Sequence, residues 1–170
     1  MPLDTLAESA NIHLTEPPSR QRQAADRESV TKAVQILQNA KRPLIWAGSG
    51  VFSSGASMQL LSLSEYLQAP VISSYEGRGS ISDESYLSLG APNLRRDALD
   101  DFIDECDVVL ALGTRLARTG FSSQTIIQID LDPDEIGRNY PDTTFGVLGD
   151  IALTLGSINK HLENIGLSRP

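Results

Sequence analysis

The chain is short of the side chains on which most catalysis depends. Its 170 residues include one Cys, two His and one Trp. Cys106 alone excludes an internal disulfide and fits a reducing, cytoplasmic setting. It sits between Glu105 and Asp107, whose charges oppose a thiolate. His13 and His161 lie near opposite ends with no Cys or His at ligand spacing, so no metal site is expected. Positive charge is scarce as well: 14 Lys and Arg against 22 Asp and Glu leave a net charge of −8. That excludes nucleic acid and anionic membrane as main partners, because both need basic surface. No apolar run nears the ~18 residues of a membrane span. The N-terminus lacks the basic-then-apolar order of a secretory signal. Neither a GxSxG elbow nor a GxxxxGK phosphate loop occurs. Catalytic residues are therefore expected to be absent.

What remains is a globular composition, 40% hydrophobic and 21% charged, at a length suited to one domain. Residues 1–25, with Pro17-Pro18, read as a lead-in, residues 26–165 as one domain and residues 166–170 as a tail. From Asp26, the apolar residues Val30, Ala33, Val34 and Leu37 follow a helical period. Leu44–Ala47 predicts a strand, GSGVFSSG a loop, and Leu60, Leu61, Leu63 and Leu67 a helix. Residues 70–73 predict the second strand. Residues 77–93 predict a turn-rich crossing with a short helix and a short strand near 86–89. Leu94, Ala98, Leu99, Phe102 and Ile103 mark the next helix. Strands are expected at 108–112, 125–130 and 144–148, and Ile151, Leu155, Ile158 and Leu162 line a closing helix.

Strands such as VVLAL and TIIQI lack apolar–polar alternation, which is the mark of strands covered on both faces. The expected fold is a Rossmann-like, doubly wound α/β domain with five or six parallel strands and helices on both faces. In such sheets ligands collect beyond the carboxyl ends of the strands. The residues there are Gly48, Ser49 and Gly50, then Ser74 and Tyr75, then Gly113 and Arg115, then Asp130, and last Gly149 and Asp150.

Each has two open readings. Gly48 and Gly50 bring the backbone close to a ligand, or they only make a tight turn at positive φ. A GxGxxG fingerprint fails because Ser53 holds the third position. Arg115 pairs a phosphate or stacks on a purine, or it forms a surface ion pair. In IIQIDLDPDEIGRNY, residues 126–140, Asp132 before Pro133 reads as a helix N-cap, with Glu135 completing a capping box. Asp130, on the last residue of its strand, is placed to accept hydrogen bonds from ribose hydroxyls.

The segments AKRPLIWAGSGV, LQAPVISSYEGRGSISDESYLSLGA, CDVVLALGTRLA, IIQIDLDPDEIGRNYP and VLGD, in this order, resemble the central domain of thiamine diphosphate-dependent enzymes. That group includes acetolactate synthase, benzoylformate decarboxylase and indolepyruvate decarboxylase. The likeness runs over about residues 27–162, and PLDTL at residues 2–6 resembles the exit from the preceding domain.

The resemblance implies a longer parent enzyme. In it, absent N- and C-terminal domains bind thiamine diphosphate and Mg²⁺, and the enzyme cleaves or forms a C–C bond next to a carbonyl of a 2-oxo acid, as a dimer or tetramer. No GDG motif for the diphosphate occurs here, so the fragment alone is expected to be non-catalytic. The resemblance also implies a bracing role, with ADP or FAD contacts at the ten rim residues named above. Flavin-binding members continue the fourth strand as GARFDDR. Here residues 113–119 read GTRLART, and Ala91-Pro92-Asn93 replaces a GMHG-like segment, so ADP or an empty crevice is expected before FAD. Two alternatives are a stand-alone nucleotide-binding regulatory module and an NAD-dependent oxidoreductase. The second lacks both the fingerprint and an acid–base residue.

Overall fold

The computed structural model describes residues 9, 11, 13–16, 21–91, 96–117 and 119–166, with the backbone only at residues 96–98. Leu94, the side chain of Ala98, Arg118, Pro17-Pro18, Pro92-Asn93 and the PLDTL segment lie outside this description.

Where successive residues are all apolar, both faces of a strand must be covered. β1 (Pro43–Ala47) and β4 (Val108–Leu112) are buried at every position. With β2 (Val71–Ser73), β3 (Ser88–Gly90), β5 (Thr125–Asp130) and β6 (Thr144–Leu148) they form one six-stranded sheet in the order β3-β2-β1-β4-β5-β6. All pairings are parallel. The count is six, and the Rossmann-like architecture is as the sequence predicts. Strand order reverses between β1 and β4, so their carboxyl ends flank an open crevice.

Side chains of alternate strand residues enter two cores. Ile45, Ala47, Leu110, Leu112, Ile127 and Ile129 meet α1 (Arg27–Asn39), α2 (Ser49–Ser54), α3 (Ser57–Leu67) and α5 (Ile151–Asn164). Leu44, Trp46, Val109, Ala111 and Ile126 meet α4 (Arg96–Glu105) together with Leu116 and Phe121. Among the described residues the two faces are thus unequally roofed, with four helices on one and one on the other.

Local chemistry explains where elements differ from expectation. Asp26 is the N-cap of α1, not its first residue, and its carboxylate accepts from the Ser29 amide at 2.8 Å. GSGVFSSG is not a loop. Ser49–Ser54 is a short helix that buries Val51 and Ser54 and stops at Gly55 (φ 66°). The crossing before β3 is built of turns without the expected helix, and β3 lies slightly later than residues 86–89.

The helix expected after Asp132 is also absent. Asp130 accepts from the Asp132 amide and Asp132 from the Asp134 amide, both at 3.0 Å. Each carboxylate thus closes an Asx-turn two residues ahead, and Gly137 (φ 72°) ends the run. Those side-chain bonds compete with helix formation and prevail. Glu135 makes no capping box; its side chain turns towards two arginines.

Candidate functional site

The crevice over the switch point has a volume of about 910 Å³. Eight of the ten rim residues line it: Gly48, Ser49, Gly50, Ser74, Tyr75, Gly113, Arg115 and Asp130. Trp46, Thr114, Asp132 and Glu135 line it too.

Its floor is main chain against main chain. The Gly48 amide donates to the Leu112 carbonyl at 2.8 Å and the Gly50 amide to the Gly113 carbonyl at 3.2 Å. A β-carbon on Gly48 would stand 2.2 Å from the Gly113 oxygen, and one on Gly50 2.6 Å from the Gly113 Cα. Gly48 has φ −103°, so close approach, not a left-handed turn, requires glycine there. Gly113 combines both demands, with φ 55° and Gly50 pressed against it. These amides are engaged by main-chain carbonyls.

One wall is the loop after β2. The Ser74 amide donates to the Ala47 carbonyl at 2.8 Å, and its hydroxyl accepts from the Gly77 amide at 3.1 Å. Tyr75 is exposed. The other wall joins the loops after β4 and β5 through Gln128, a residue the sequence reading passed over. Buried on β5, it donates to the Thr114 carbonyl at 3.0 Å and the Glu135 carbonyl at 2.9 Å, and accepts from the Gly137 amide at 2.8 Å. Its signal was a lone amide between Ile127 and Ile129.

Asp130 is half-buried at the end of β5. Burial pushes its carboxyl above the usual range against the opposing amides of Asp132 and Leu131, and the nearby charges of Asp132 and Glu135 add to the rise. Arg115 is mostly exposed and lies 3.5 Å from Glu135 through Nε. Arg115 thus stands at the crevice with an ion pair to Glu135.

Gly149 and Asp150 do not line the crevice. Asp150 is the N-cap of α5, accepting from the Leu153 amide at 3.1 Å. It also takes a two-point grip from Arg22, at 2.8 and 2.9 Å. Although burial works against its charge, Arg22 and the cap amides hold its carboxyl below the usual range. Gly149 faces Ala25, whose amide nitrogen would lie 2.5 Å from an added β-carbon. The lead-in thus fills this part of the rim. Among the described residues there is no cluster of three metal-ligating side chains, and no helix is long and apolar enough to cross a membrane.

Sheet order and crevice define a Rossmann-like parallel α/β domain with its open site at the switch point. A family model described as "Thiamine pyrophosphate enzyme, central domain" matches residues 30–158, and the chain belongs to that family. It is 35% identical over 144 residues to a protein named "Probable acetolactate synthase large subunit" from Methanococcus aeolicus, covering 80% of this chain and 24% of that relative. In solved structures the fold is similar to a putative thiamin diphosphate-dependent enzyme from Mycobacterium smegmatis. The TM-score is 0.71 at 20% identity, over 86% of this chain and 30% of that one. It is also similar to benzoylformate decarboxylase from Polynucleobacter necessarius, with TM-score 0.66 at 20% identity over 94% of this chain and 31% of that one. The chain thus spans about a quarter of the curated relative's length.

Proposed function

We propose that this domain braces a larger thiamine diphosphate- and Mg²⁺-dependent enzyme and offers its crevice to the adenosine part of a nucleotide such as ADP. The parent enzyme would cleave or form a C–C bond beside the carbonyl of a 2-oxo acid, with the cofactor storing the electron pair. Thiamine diphosphate and Mg²⁺ would be held by other domains, as would the catalytic groups, and this chain alone would be inactive. Its partners would be those domains and further copies of the parent in a dimer or tetramer.

One observation carries the nucleotide reading. Asp130 is a half-buried carboxylate at the last residue of a strand beside the switch point, in a crevice large enough for a nucleoside. A carboxylate held there at the expense of its own ionisation has a use if a ligand's hydroxyls donate to it. The loop GTRLART, without the acids and final arginine of flavin binders, favours ADP over FAD.

Calorimetric titration of the purified chain with ADP and FAD, alongside Asp130→Ala, tests the reading. Saturable ADP binding that the substitution weakens by about tenfold or more is expected, the loss of one charged hydrogen-bond acceptor. Absence of heat with both ligands, in a protein that melts cooperatively, would leave the domain a spacer.

A further inference from the structure

Arg22 reaches two helices at once. Its guanidinium grips the Asp150 carboxylate at 2.8 and 2.9 Å and donates to the carbonyl of Ser54, the last residue of α2. Asp150 is the buried N-cap of α5, and its own amide donates to the Gln23 carbonyl at 2.7 Å. The lead-in is therefore fastened to the head of α5 by side chain and main chain together. Arg22 itself is half-exposed, so the grip can open without unfolding of a core.

The next residue carries the contact inward. Ile151, the first residue of α5, is buried in the core that the four helices cover. A β-carbon on Gly50 would meet its Cδ1 at 2.9 Å, and one on Gly113 would meet it at 2.6 Å. One methyl thus fills the space that both glycines leave beside the crevice floor. Gly50 lies in α2, whose six residues make less than two turns and are too short to bend. Of the two bonds that close the floor, Gly50 to Gly113 is the longer, 3.2 Å against 2.8 Å for Gly48 to Leu112. The longer bond is the one that α2 and Ile151 hold shut.

We infer that Arg22 is a positioning residue for the crevice: its joint hold on Asp150 and Ser54 seats Ile151 against Gly50 and Gly113, so that the crevice floor answers to the segment of chain leading into the domain. Neither Arg22 nor Ile151 lines the crevice itself. Displacement of the lead-in around Arg22 would loosen the head of α5, withdraw the methyl and let the Gly50 amide part from the Gly113 carbonyl. Whatever molecule fills the crevice, its fit would then depend on how the preceding residues are held.

Amide hydrogen exchange on the full chain under native conditions, read residue by residue, provides the test. Arg22→Ala should speed exchange at Gly50 by about tenfold, the scale of one lost charge-assisted hold. Gly48 should change less, and Gly137, whose amide is tied to Gln128 on the far wall, should not change. Asp107→Ala is the control for lost stability alone, since it removes two amide contacts at the opposite end of the sheet. It should leave the ratio of Gly50 to Gly137 exchange at the native value. Ile151→Val deletes only Cδ1. It should reproduce the faster exchange at Gly50, and Arg22→Ala should have less effect in its background than in the native chain.

Equal acceleration at Gly50 and Gly137 on Arg22→Ala would make Arg22 a general stabiliser and overturn the inference. Fully additive effects of Arg22→Ala and Ile151→Val would also overturn it, because Ile151 would then not be the link.

Discussion

Gly48 and Gly113 meet backbone to backbone at the switch point, so closely that a single β-carbon on Gly48 would fall 2.2 Å from the Gly113 carbonyl oxygen. The atoms that would have to give way belong to the main chain of the loop after β4, which Gln128 and the β5 pairing hold in place.

Gly48→Ala is therefore expected to cost about 3 kcal/mol, at the upper end of overpacking effects. For a domain of this size that lowers the melting temperature by roughly 6–12 °C. Gly55→Ala is the control. Gly55 also has positive φ (66°) but has open space around it, so only the backbone penalty of about 1–2 kcal/mol applies. Equal losses at the two positions would contradict the close-packed floor.

Arg22→Ala leaves the buried Asp150 carboxylate without its two-point partner. A clear drop in the urea midpoint is expected, smaller than for a fully buried pair because Arg22 is half-exposed. The pH dependence has a definite sign. The folded carboxyl of Asp150 is held below its unfolded value of about 3.9, so its stabilisation is present above that pH and is lost as pH falls through the folded value. Asp26 and Asp107, also lowered, act in the same direction. Urea midpoints measured while acidifying should fall more steeply for the native chain than for Asp150→Asn.

Asp130 has the opposite sign. Its folded carboxyl is raised, so its ionisation costs stability as pH rises through the folded value. Asp130→Asn keeps an acceptor for the Asp132 amide and removes the charge. Its melting temperature at neutral pH should equal or exceed that of the native chain, while nucleotide affinity falls. A clear loss of stability would show that the charge serves the fold, not a ligand.

Cys106 is buried, and burial pushes its thiol up to about 11, with Asp107 and Asp104 reinforcing the rise. At pH 8 the native protein should resist alkylation and react quickly once unfolded in urea. The rate of labelling in dilute urea then reports opening of the core under α4.

Much of the sheet was legible because its signal is local. Val108–Leu112 is apolar throughout and Ile126-Ile127 are apolar side by side, which a one-face strand would not show, and both segments became interior strands with no change of limits. The family order of segments also located the crevice rim. The turn after β5 was misread because Asp132-Pro133 satisfies the rules of a helix start. Only the folded chain shows both aspartates closing Asx-turns. Arg22 and Gln128 were missed, and Glu135 was read as part of a capping box, for a different reason. Their partners lie 128, 14 and 20 residues away, respectively Asp150, Thr114 and Arg115, and no sequence period links residues so far apart.

The grip of Arg22 on Asp150 also bears on where the unit can be cut. Gln23 offers its carbonyl to the Asp150 amide at 2.7 Å, and the Ala25 amide reaches the Thr154 hydroxyl at 3.2 Å. A chain trimmed to begin at α1 would strip these partners from the first turn of α5, including the buried carboxylate at its head. Arg22, Gln23 and Ala25 precede the first helix but belong to the last one. Any shortened or transplanted version of this domain must carry them, or its closing helix will start unfastened.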